Sequence, residues 1–272
     1  MKKHLVILSL LLAVSLVGAQ DWAGVQRTTY EASSPMDRGG VGVTDWNNQT
    51  VSATGIGVVS DNPVNAARER ANAMRAAKIV ALRDLLEQVK GVQINSTTTI
   101  QNFETINDTI IARVSGIVQG AYEIGTPRYM SDGSIERTFA VSMTGILSDT
   151  VLVEDYSVAP HPGGGDSSGL VIDARGLGVM PAMSPVVYSD SGEVVYGPMN
   201  VTRDYAVQIG IVGYVRSVED AKAQDRVGDN PLVITAVGSK GGANCDLVIS
   251  SGDASRLPYI NGINECKVVI VL

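Results

Sequence analysis

The sequence predicts an α+β protein in which a long helix packs on a mainly antiparallel sheet and a second, β-rich α/β domain follows. Three observations carry this. Residues 62–91 hold a helix with marked ends: Asn62 as cap, Pro63 at the first helical position, Gly91 as left-handed stop. The strand before it, Val51 to Val58, puts Ala53, Gly55 and Gly57 on one face, a surface that an alanine-rich helix can approach closely. The second half is a series of short apolar runs separated by Gly, Asp and Ser turns.

The chain opens Met1-Lys2-Lys3-His4, continues with an apolar run from Leu5 to Val17 and then reads Gly18-Ala19-Gln20. This is the pattern of a secretory signal peptide over residues 1–19, with cleavage between Ala19 and Gln20. The apolar run is shorter than the ~20 residues a membrane helix needs. No cysteine stands near the cut, so no lipid anchor is expected. Localisation is read as periplasmic or outer-membrane-associated. Loss of Lys2 and Lys3 takes the formal charge from −7 to −9. An acidic chain argues against nucleic acid as a partner. With two phenylalanines and two tryptophans, the cores must rest on Val, Ile, Leu, Ala and Met.

Residues 20–45 lack a helical period and are expected to form an extended arm. A strand at about 50–59 leads into the long helix, whose predicted buried stripe is Val64, Ala67, Ala71, Met74, Leu82, Leu85, Leu86 and Val89. Arg68 and Arg75 border that stripe, facing acidic groups, a neighbouring subunit or water. The threonine-rich stretch Val92 to Asn102 reads as a polar strand, and Asn107 to Val114 as a short helix or strand. Gly116 to Met130 and Ser134 to Leu147 form a hairpin across Ser131-Asp132-Gly133. Its second arm alternates, with Ile135, Phe139, Val141 and Met143 on the buried face.

The series Trp46, Val51, Ala53, Gly55, Gly57, then Ala67, Ala71, Ala76, Ala81, Leu85, Leu86 and Gly91, then Ser115-Gly116-Ile-Val-Gln-Gly120, resembles the lipoprotein-20-like domain. That domain is similar to the N-terminal domain of flagellar assembly protein T and to flagellar assembly protein P. The resemblance covers about residues 46–147 of a first domain set at 46–150. It implies a sheet packed on a long helix in envelope proteins, some of which build rings around the flagellar motor. The family's lipoproteins carry a lipidated cysteine that this chain lacks.

Residues 151–168, with His161-Pro-Gly-Gly-Gly, read as a linker, and residues 169–272 as the β-rich C-terminal domain. Its expected elements are a strand at 169–174, a hairpin over 184–196 with Asp190-Ser191-Gly192 at the tip, and a short helix at 218–224. Strands at 232–237, 245–249 and 266–272 complete it, with a turn or helix starting near Ser251. The stretch 169–197 resembles tails that accompany the lipoprotein-20-like domain in uncharacterised secreted proteins.

Candidate chemistry is sparse. Cys245 and Cys266, at the starts of two strands in an exported chain, favour a disulfide closing a loop of about 20 residues and stabilising by ~3 kcal/mol. Two buried free thiols are the rival. His161, the one histidine beyond the signal peptide, sits in the linker, a poor mount for a general base. Neither glycine-rich loop, at 163–168 or 237–242, matches a phosphate or dinucleotide fingerprint. Ser250 to Asp253 could open a helix and bind an anion, with Asp253 read as its cap. Asp173 with Arg175, and Glu219-Asp220, read as surface charges. No catalytic residue, metal site or cofactor is expected.

The function read from this is non-catalytic: an envelope or flagellum-associated assembly component acting through other envelope or flagellar proteins, or as a homo-oligomer. Val92 to Asn102 and Val268 to Leu272 are the strands expected to pair across subunits. Two rivals stand beside it, a periplasmic module binding polysaccharide or peptidoglycan in a polar cleft, and an exported hydrolase with clustered carboxylates.

Overall fold

The structure, a computed structural model, describes residues 42–60, 64–104, 108–152 and 162–272. The expected signal peptide with Ala19 and Gln20, the arm before residue 42, the Asn62-Pro63 start signal, the Asn107 cap and His161 lie outside them. The described residues fall within the compact unit Arg38–Leu272. The α+β expectation holds.

The N-terminal half is a four-stranded antiparallel sheet of order β1-β2-β4-β3. Its strands are β1 (Val43–Asp45), β2 (Thr50–Gly57), β3 (Tyr122–Tyr129) and β4 (Ile135–Ser142). The last residues of the expected arm are therefore a strand. Between β1 and β2 the chain turns on Asp45, whose carboxylate accepts from the backbone N–H groups of Asn47 and Asn48.

Helix α1 (Ala66–Lys90) lies across β2 and β4. It is capped by Asn65, whose side chain accepts from the Arg68 amide at 3.0 Å. Gly91 ends the helix in right-handed geometry, φ −74°, not as the expected left-handed stop. The buried stripe is Ala73, Ala77, Ala81, Leu85 and Val89, spaced by four. The expected stripe is corrected: Val64, Ala67 and Ala71 are exposed, as are Arg68 and Arg75.

Close approach selects the alanine row. A Cβ on Gly55 would stand 2.1 Å from the Ala77 carbonyl oxygen, and one on Gly57 1.9 Å from that of Ala73. Strand and helix therefore touch backbone to backbone, and a periodicity argument weighted toward bulky residues picks the wrong register. Leu85 and Val89 fill the far end, where Val51, Phe139 and Val141 belong to the same core.

After α1 the expected polar strand is absent. Gln93 pairs with Thr99 in a single bridge, and the chain then enters α2 (Ile100–Glu104). The side chains explain it: Asn95 accepts from the Thr97 amide and Thr99 from the Asn102 amide, local bonds that replace a ladder. Helix α3 (Asp108–Gln119) takes in the start of the expected hairpin arm. The Asp-Gly turn stands, with Gly133 at φ 81°, and Ile135, Phe139, Val141 and Met143 are all buried. Helix α4 (Ile146–Val151) follows.

The C-terminal half contains two further sheets. The first, of order β8-β12-β5-β9, is wholly parallel: β5 (Leu170–Asp173), β8 (Gly213–Val215), β9 (Leu232–Thr235) and β12 (Val268–Val271). Strand β12 is buried at every residue and central, as a two-sided parallel strand should be. It is not the edge that its position in the sequence suggests. The second sheet is mixed, of order β10-β11-β6-β7: β6 (Val187–Ser189), β7 (Val194–Tyr196), β10 (Gly238–Lys240) and β11 (Asp246–Ile249). Helices α5 (Arg203–Ile209), α6 (Val218–Lys222) and α7 (Ser251–Ala254) complete it; α5, β8 and β10 carry no signal in the sequence reading.

The halves share one hydrophobic cluster that runs from Val51 to Ile270. Backbone bonds stitch them: Gly145 N–H to Val207 O at 2.7 Å, Met183 N–H to Gln93 O at 3.0 Å and Ser184 N–H to Ile94 O at 2.7 Å. Arg203 on α5 reaches the Asp149 carboxylate of α4 at 2.5 Å.

Candidate functional site

The two cysteines are not bonded; both are buried free thiols. Cys245 leads into β11 and Cys266 into β12, strands of different sheets, so proximity in sequence does not bring them together. Burial first, then the neighbouring Asp246 charge, pushes the Cys245 thiol up to about 12. Burial pushes Cys266 up to about 12 as well, against the pull of Arg226. Thiols held protonated in this way are poor nucleophiles.

The start of α7 is already satisfied. Ser250, not Asp253, is the cap, accepting from the Asp253 amide at 3.0 Å, while its hydroxyl donates to the Asp253 carboxylate at 2.8 Å. The Asp190 carboxylate from the hairpin tip accepts from the Ser251 amide and hydroxyl. Asp173 grips Arg175 with two bonds of 2.9 and 2.7 Å, and Arg175 holds its carboxyl below the usual range. Among the described residues no three His, Cys, Asp or Glu side chains group as a metal site.

Among the described residues, two features can meet another molecule. The first is the sheet edge formed by β3. Tyr122, Ile124 and Tyr129 on it are 52%, 37% and 61% exposed, values high enough to make this an apolar surface rather than a core face. Its ladder with β4 breaks between Ile124 and Arg128, where Gly125 takes φ 71° and Pro127 follows. The regular part, Tyr122 to Ile124, is anchored from behind: the Arg137 guanidinium of β4 makes two 2.7 Å bonds to Glu123 and a 3.1 Å bond to the Met74 carbonyl of α1. Arg137 lowers the Glu123 carboxyl, so the pair is charged at neutral pH.

The second is a polar cleft of about 260 Å³ between the halves. The β1–β2 turn supplies Asn47, Asn48 and Gln49; the end of α5 supplies Gln208; the turns after α6 supply Gln224 and Arg226. Gln49 holds the wall in place, with φ 49° and its side-chain amide donating to Val212 O at 3.0 Å. Arg226 is largely buried. Its two terminal nitrogens donate to the carbonyls of Gly210 (3.1 Å), Cys266 (3.0 Å) and Ile209. Burial pulls its pKa down, opposed by Tyr196 and Cys266. Sequence reasoning missed Arg226, because one arginine in a polar turn has no pattern to distinguish it.

Residues 169–272 match the family model described as Treponema pallidum Tp0624, second domain. The match takes in the parallel sheet, the mixed sheet and Arg226, while the Asn47–Gln49 wall and β3 lie outside it. No curated protein matches the chain.

Proposed function

We propose that the protein is a non-catalytic, exported component of the cell envelope that works through protein–protein contacts, with the β3 edge as its contact strand. The observation that carries this reading is the exposure of Tyr122, Ile124 and Tyr129 on a terminal strand of the N-terminal sheet. A strand edge offers unpaired backbone groups, and soluble proteins ordinarily blunt such edges with charge or cover. Here the bulge blunts only the far end, and the near end is stiffened by the Glu123–Arg137 pair. The signal-peptide pattern of residues 1–19 supports export, to the periplasm or the outer membrane. The lipoprotein-20-like resemblance of residues 46–147 supports envelope or flagellar proteins, or further copies of this chain, as partners.

The test is light scattering on residues 20–272 over a wide concentration range, with Ile124→Lys alongside. A concentration-dependent oligomer that the lysine variant loses is the expected result. A mass equal to one chain throughout, or an oligomer indifferent to Ile124→Lys, removes β3 self-pairing from the account.

A further inference from the structure

We infer that the cleft between the Asn47–Gln49 turn and Arg226 binds a small hydroxylated ligand carrying one carboxylate, of the uronic acid class. Arg226 is a largely buried cation, and among the described residues no carboxylate lies within 4.0 Å of it. An arginine has five N–H donors. Three bonds are made here, all to main-chain carbonyls, and two donors remain without a protein partner among the described residues. A buried cation ordinarily finds a counter-ion, and this one lines a cleft that an anion can enter.

The rest of the lining decides what kind of anion. Five carboxamides face the cleft, with the Thr144 hydroxyl beside them. Carboxamides and hydroxyls both donate and accept, as sugar hydroxyls do. Gln208 is exposed, which leaves its amide accessible, whereas the Gln224 amide is bonded to Asn47 at 3.5 Å. Asp45, which heads the turn, is taken up by three N–H donors from Asn47 and Asn48. A single cation among neutral groups matches one negative charge on an otherwise neutral, hydroxyl-rich molecule. The volume, about 260 Å³, falls below that of pockets for drug-sized ligands and suits one sugar ring. Because one wall belongs to the matched C-terminal family segment and the other does not, the site exists only where both halves are joined.

The experiment is calorimetric titration of residues 20–272 at low salt with sodium glucuronate, glucose and inorganic phosphate in turn. Glucuronate is expected to bind saturably, and glucose at least about tenfold more weakly, since it lacks the charge-assisted bonds to Arg226. Arg226→Ala removes three main-chain contacts and is a poor probe on its own. Gln208→Glu instead places a carboxylate at an exposed position of the cleft, repelling the ligand while attracting Arg226; it is expected to melt no lower than the wild type and to weaken glucuronate by about tenfold. No saturation by glucuronate, equal affinity for glucose, or indifference to Gln208→Glu overturns the proposal. Saturation by phosphate without glucuronate overturns the ligand class.

Discussion

The two halves of the molecule solve burial in different ways. In the N-terminal half one long helix covers one face of an antiparallel sheet, and the contact is so close that glycine and alanine line it. In the C-terminal half β5 and β12 are surrounded on both sides, and their apolar runs are continuous. The first half thus depends on the absence of side chains at Gly55 and Gly57, the second on their presence at Val268 to Val271. The terminal strand β3 of the N-terminal sheet exposes Tyr122, Ile124 and Tyr129, and in the proposed reading it is the contact strand.

The largest test of this contrast is Gly57→Val. The new side chain meets the Ala73 carbonyl, which cannot move without displacing α1. A loss of at least about 4 kcal/mol is expected, visible as a large drop in melting temperature. A variant melting near the wild type would show that the helix does not sit where the contact requires. In the C-terminal half Ile270→Ala should cost about 2–5 kcal/mol by leaving a cavity in the parallel sheet. A loss under about 1 kcal/mol would contradict its burial from both sides.

A smaller effect sharpens the picture of the β3 edge. Glu123 is lowered by Arg137 from an ordinary value of 4.5. A carboxyl lower in the folded than in the unfolded state contributes fully above the unfolded value and loses that contribution as pH falls through the folded one. Wild type should therefore lose stability below about pH 4.5 more steeply than Glu123→Gln, as chemical denaturation at several pH values would reveal. Parallel curves for the two would remove the ion pair as the anchor of β3. The smallest expected effect is that of reductant: with Cys245 and Cys266 free, dithiothreitol should leave the melting temperature unchanged. A fall of several degrees would mean that the thiols are joined in solution.

Legibility in the sequence followed the same division. Strand alternation over residues 135–143 and the Asp-Gly turn are readable because one-sided burial writes a period of two. The continuous runs at 170–173 and 268–271 are readable as strands, yet their central position is not, since strand order depends on long-range pairing. The helix was legible as an element but not in rotation, because its buried row is alanine and bulky residues mislead the count. Val92 to Asn102 misled for another reason: threonine favours strands, but Asn95 and Thr99 bind the backbone locally. The Arg226 cleft had no sequence signal at all, being assembled from three turns more than 170 residues apart at the extremes.

The role of β3 as a contact strand is tested by amide hydrogen exchange at low and high protein concentration. Protection of residues 122–124 should rise with concentration while that of β12 stays constant, since β12 is already enclosed. Equal exchange of 122–124 at both concentrations, in a preparation that light scattering shows to be oligomeric, would contradict it and move the contact elsewhere.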